Sequence, residues 1–129
     1  MNYFFIAAAI LSLTTCVGHF TYGVTNYLKP MLNASFDPVA KAVIHCVFHY
    51  VSAFLVLSTL VLAGCGLDLV AYMQGISLVL FVALNFALFA IWQIYIAFVS
   101  DIKSPFKHLF QWSLFSAISA LSLMGIYLN

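Results

Sequence analysis

Charged side chains are nearly missing from this chain. Arginine and glutamate are absent, and four lysines and three aspartates are the only charged residues among 129. They make up 5% of the sequence, against about 25% in a soluble domain. So few charges cannot clothe a water-facing surface, which excludes an ordinary soluble fold. A net charge of +1 is too small for the basic surface that a nucleic-acid partner requires. Cysteine is scarce too. Cys16, Cys46 and Cys65 are far apart with no CxxC pair, so neither a thioredoxin-like motif nor a cysteine-rich zinc site is indicated. Each reads as a small buried hydrophobe. No carboxylate falls inside an apolar run, which argues against ion-coupled transport.

What the chain has instead is apolar length. Hydrophobic residues make up 66% of it, and about 20 in a row are needed to cross a bilayer. Four such stretches and three short connections use up the sequence and leave no room for a soluble catalytic domain. The expected fold is therefore all-α: an integral membrane four-helix bundle, up-down-up-down, forming one domain over residues 1–129. Its spans are expected at about 3–27, 38–63, 69–99 and 105–128. The first lacks the basic n-region and A-x-A site of a signal peptide and reads as a retained span. It should stop before Lys29-Pro30, because proline removes a backbone donor. Asp37-Pro38 and Ser104-Pro105 each read as a cap followed by proline at the first helical position. Gly64–Asp68 reads as a tight turn. On the last span, Ser113, Ser116, Ala117 and Ala120 form a stripe of small residues suited to close helix packing.

The lysines set an orientation. Lys29 and Lys41 flank the first connection, Lys103 and Lys107 the third, and the second connection has none. Basic residues beside span ends stay cytoplasmic. Both termini are then expected outside the cytoplasm.

Polar side chains within the spans are few, and such residues mark function more often than chance. At about 1.5 Å per residue, His19 lies roughly 15 Å from Lys29 and His49 roughly 12 Å from Lys41. His45 and His49 are four apart and share a helix face. Thr15, His19, Tyr22 and Asn26 form a comparable stripe on the first span. The depths predict that His19 and His49 face each other between neighbouring antiparallel spans. His19, His45 and His49 could together hold a transition metal, since imidazole suits Zn, Cu, Fe and Ni. Alternatively His19 and His49 could hold a haem. Tyr22, Asn85, Gln93 and Gln111 are expected around the same polar pocket. Against this stands ordinary packing, in which His, Asn and Gln form interhelical hydrogen bonds. His108, beside Lys107, reads as a solvated interface residue.

Several short motifs carry a resemblance: Gly18-His19 with Gly23, Tyr27-Leu28-Lys29-Pro30-Met31-Leu32, His49 with Ser52, and Gln111-Trp112. On these the chain resembles a family of small four-span bacterial membrane proteins to which no activity is assigned. Members often carry Gly-Glu where this chain has Gly23-Val24, and Trp-His where it has Phe48-His49. The resemblance implies a bacterial inner-membrane setting and favours His19 and His49 over His45. It implies no chemistry, and whether the chain is an enzyme is left open. Two functions compete: a metal- or haem-binding bundle with its site in the cytoplasmic half, and a non-catalytic accessory or scaffold subunit of a larger membrane complex. The partners expected are the lipid bilayer and either another membrane protein or further copies of the chain.

Overall fold

The computed structural model describes residues 1–128 and is all-helical, with no strand among them. Asn129, the last residue of the expected domain, lies outside the described residues. The helices are α1 (Tyr3–Asn33), α2 (Pro38–Gly66), α3 (Tyr72–Val99), the single turn α4 (Pro105–His108) and α5 (Gln111–Tyr127). With 31, 29 and 28 residues, α1, α2 and α3 are long and apolar enough to cross a membrane. The 17 residues of α5 reach about 25 Å at 1.5 Å each.

Asn2 starts α1. Its side-chain oxygen accepts from the N–H groups of Phe4 at 3.1 Å and Phe5 at 3.2 Å, satisfying donors that a first helical turn leaves free. Its amide donates to the Gly125 carbonyl at 2.8 Å, and its backbone N–H donates to the Gly66 carbonyl at 3.0 Å. One buried residue therefore ties the start of α1 to the ends of α2 and α5. Close approach there depends on two glycines. A Cβ on Gly66 would lie 2.8 Å from Cγ1 of Ile6, and one on Gly125 would collide with the ring of Phe5.

The far half of α1 departs from the α-helix. From His19 to Leu28 it winds as a π-helix, closing with the Lys29 N–H on the carbonyl of Val24. Two features of the sequence oppose a regular ladder here. Thr21 and Asn26 donate side-chain hydrogens to the carbonyls four residues back, those of Val17 and Tyr22, which draws on the ladder's own acceptors. Pro30 has no N–H, and in a regular α-helix its ring would strike the carbonyl of Asn26. The wider winding ahead of Pro30 avoids that collision, so α1 passes the expected stop near Tyr27 and ends at Asn33.

Asp37 caps α2 as expected, accepting from the N–H of Ala40 at 2.7 Å with Pro38 at the first position. Ser104 does not repeat the pattern. Its φ is 53°, it makes no side-chain cap bond, and the turn after it breaks at Leu109 before α5 begins. The turn expected at Gly64–Asp68 comes later, since α2 continues through Gly66 and α3 opens only at Tyr72.

Packing joins α1 to α2, α3 to α5 and α1 to α5. Ser12 and Thr59 share a hydrogen bond of 2.8 Å between α1 and α2. The Ser119 hydroxyl donates to the Ala83 carbonyl at 2.8 Å between α5 and α3. The centre is filled by Leu55, Leu62, Val79, Phe86 and Ile118. Phe54, Phe86, Phe89 and Phe115 surround each other at centroid distances of 5.1–6.2 Å. The small-residue face of α5 is Ser119, Ser122 and Gly125, all buried. That corrects the expected stripe, in which Ser113 and Ala120 are exposed. The corrected face starts only two residues beyond Ala117, but one helical residue is about 100° of rotation.

Candidate functional site

The contacts of Asn2 put the chain's start, Gly66 and Gly125 at one end of the molecule. Tyr27, Gln93, His108 and Gln111 meet toward the other, where all four lysines lie in the helix ends and connections. The polar residues singled out in the spans sort into three groups, mostly on this lysine side.

The first group surrounds a cavity of about 110 Å³ between the π-helical segment of α1, the middle of α2 and the start of α5. Thr15, His19, Tyr22, Tyr27 and Gln111 reach its wall, with Leu55 and Phe115 among the apolar residues that line it. The π segment forms one wall of this room, and such segments recur at functional sites. His19 Nε2 lies 2.8 Å from Ser52 Oγ, and the Ser52 hydroxyl also contacts the Phe48 carbonyl at 3.0 Å. A hydroxyl has one hydrogen. Both contacts are satisfied only if Ser52 donates to Phe48 and accepts from His19. Neutral His19 therefore carries its proton on Nε2, leaving Nδ1 as an acceptor. Its ring stacks on Phe48 with centroids 4.1 Å apart.

The second group is a chain of donors crossing four helices. Gln93 Nε2 donates to Gln111 Oε1 at 2.7 Å. Gln111 Nε2 donates to the Tyr27 hydroxyl at 2.9 Å, which donates to the His108 carbonyl at 3.1 Å. Gln93 Oε1 is buried with no partner among the described residues. Tyr22 sets its ring edge-on to Tyr27 and to Phe110, each with centroids 5.7 Å apart. Of the four expected pocket residues, Tyr22 and Gln111 line the cavity, and Gln93 reaches it through Gln111. Asn85 does not take part, because its amide donates to the Phe81 carbonyl of its own helix at 2.8 Å. Tyr27 reads in the sequence as an interfacial aromatic. Its shared depth with Gln111, each close to a lysine, is the one signal that could have placed it here.

The third group is His45 and His49. Their Nε2 atoms are 3.2 Å apart, so one donates to the other. His49 is exposed and His45 half-buried. The expectation that His19 and His49 face each other inside the fold is corrected by Phe48, which stacks on His19 and meets His49 edge-on at 5.7 Å. The inward face of α2 includes Ser52, Leu55, Ser58 and Leu62. Continued toward the helix start at steps of three and four, it passes through Phe48 and His45. His49 lies one residue round from Phe48 and so turns outward. Among the described residues, no three His, Cys, Asp or Glu side chains form a group able to hold a metal ion. The three-histidine set is therefore not assembled within one chain. Cys46 is also exposed, contrary to its reading as a buried hydrophobe, whereas Cys16 and Cys65 are buried. His108 is exposed, and only its carbonyl is used. Compared with protein-family models, curated proteins and solved structures, the chain shows no match.

Proposed function

We propose that this chain is a four-span bundle of the bacterial inner membrane that works as a non-catalytic subunit, docking to another membrane helix through the outer face of α2. The observation that carries the proposal is the imidazole pair of half-buried His45 and exposed His49. His45 and His49 satisfy one N–H and one lone pair between them, and His49 stands exposed on α2. Polar groups left facing lipid are costly, and in membrane bundles they usually find a partner across a helix interface. Ala42, Cys46 and Ala53 are exposed beside them, and small residues let a second helix come close.

The membrane setting is supported by where the charges fall. Every lysine and aspartate lies at a helix end or in a connection. Between the ends, Leu13, Val17, Leu57, Leu60, Phe81 and Leu84 are exposed, a surface that suits lipid and not water. With α4 and α5 completing a fourth crossing, the lysine-bearing end faces the cytoplasm, and both termini lie outside. Reporter fusions test this: one in connection 34–37 is expected to read inside, and one in connection 67–71 outside. The opposite pattern would overturn the orientation.

Docking is tested by a photo-crosslinking residue placed at Tyr50, beside His49, or at Phe81 on the outer face of α3. In native membranes Tyr50 should give a protein adduct of discrete mass, and Phe81 only lipid adducts. Lipid adducts alone at both positions would remove the docking role. A metal or haem held within one chain has less behind it, because His19 lines the cavity whereas His49 is exposed.

A further inference from the structure

Building on the docking face just described, we infer that the partner is a second copy of the chain, and that two copies hold one transition-metal ion between their His45 and His49 imidazoles. Each copy presents half of a coordination shell. Two nitrogens bound at about 2.0–2.1 Å to one tetrahedral ion stand about 3.3 Å apart, and the two Nε2 atoms are already 3.2 Å apart. The rings are four residues apart on one helix, so they lean to the same side. A metal would replace the hydrogen they now share: the donating ring moves its proton to Nδ1, where the accepting ring already carries its own.

Two ligands leave the shell half empty, and this chain offers no third among the described residues. A second copy supplies the missing pair. Copies inserted in one bilayer share an orientation, so their histidine pairs lie at the same depth. A two-fold axis along the membrane normal then sets pair against pair, with the same patch used on both copies. The surface permits the approach, since Ala42, Cys46 and Ala53 are exposed on that face of α2 and small residues bring helix backbones together. Four neutral imidazoles suit Zn, Cu or Ni over Mg or Ca.

The test is zinc titration of the full chain in detergent, followed by native mass spectrometry. One zinc per two chains is expected, with the dimer fraction rising as zinc is added. His45→Ala and His49→Ala should each weaken zinc binding at least tenfold while remaining monodisperse, because neither ring is buried in the core. His108→Ala should bind as the parent does. Zinc bound at one per chain, or bound equally by both histidine variants, would overturn the inference. A dimer that takes up no zinc would overturn it too, yet leave the docking role standing. A chain that stays monomeric in lipid vesicles, gives no Tyr50 adduct and takes up no zinc would remove both.

Discussion

The two ends of this molecule are built on opposite plans. At the end holding Asn2, small residues bring helices together: Gly66 against Ile6, Gly125 against Phe5, and buried Ser12, Ser58, Ser119 and Ser122 between neighbours. At the lysine-bearing end, α1 widens into a π-helix, α4 and α5 are broken apart at Leu109, and large aromatic rings surround open space. Lipid tails are as apolar as leucine, so burying apolar surface does little to join helices within a membrane. Close contact and hydrogen bonding do most of it. The first end gains stability from contact. The second gives helix contact up around a cavity lined by His19, Tyr27 and Gln111, while the first keeps its open space, about 290 Å³, to one side beside Asn2, Asp68 and Gly75. The two ends therefore differ in how their helices meet, and not in whether space is left between them.

The sharpest way to break this comparison is to add one methyl group at each end. Gly66→Ala carries the larger expected effect. The new Cβ would sit 2.8 Å from Ile6 Cγ1 and 3.1 Å from the Ile6 backbone nitrogen. The side chain can swing aside, but the backbone cannot, and it is fixed by the adjacent bond from the Asn2 N–H to the Gly66 carbonyl. Overpacking of this kind costs about 1–3 kcal/mol. Thermal melting in detergent should show a clear loss of stability. An unchanged melting temperature would mean that α1 and α2 do not approach closely at this end, and the contrast between the two ends would fail.

The sequence made some of this legible. Helix, apolar length and the Asp37-Pro38 start follow from composition and cap chemistry, and the structure has all three. Facing was much harder to read. In a soluble helix the apolar stripe reveals the inward side, but a helix that is apolar all round gives no such stripe. Core and lipid ask for the same residues. The error at His49 comes from that, since it stands one residue from Phe48, and nothing in hydrophobicity separates the two faces of α2. The small face of α5 was misplaced for the same reason, with Ser116 and Ala117 preferred over Ser119 and Ser122. Asn2 was invisible because its partners, Gly66 and Gly125, are distant backbone carbonyls. The π segment combines back-bonds from Thr21 and Asn26 with Pro30 just beyond it, a combination that no single motif announces.

The smaller and more informative change is Gly18→Ala, at the edge of the π segment. Gly18 has ordinary helical angles, φ −60° and ψ −38°, so alanine fits its backbone without strain. A Cβ there would meet nothing within 4 Å, because the residue borders the cavity beside His19. Glycine inside a helix is about 0.8–1.0 kcal/mol less favourable than alanine, chiefly through the backbone freedom it loses on folding. Gly18→Ala is therefore expected to raise thermal stability by up to about 1 kcal/mol, while the same substitution at Gly66 lowers it. Opposite signs from one methyl group would show that the two glycine sites differ in free space and not in helix propensity, which favours alanine at both. A loss of stability at Gly18 would carry a different message. The cavity would then be occupied in the folded protein, by water bonded to His19 and Gln111 or by a bound molecule that the methyl group displaces. Repeating the melt after delipidation distinguishes these cases: a destabilisation that vanishes on delipidation identifies a bound lipid or other apolar molecule, and one that persists identifies water.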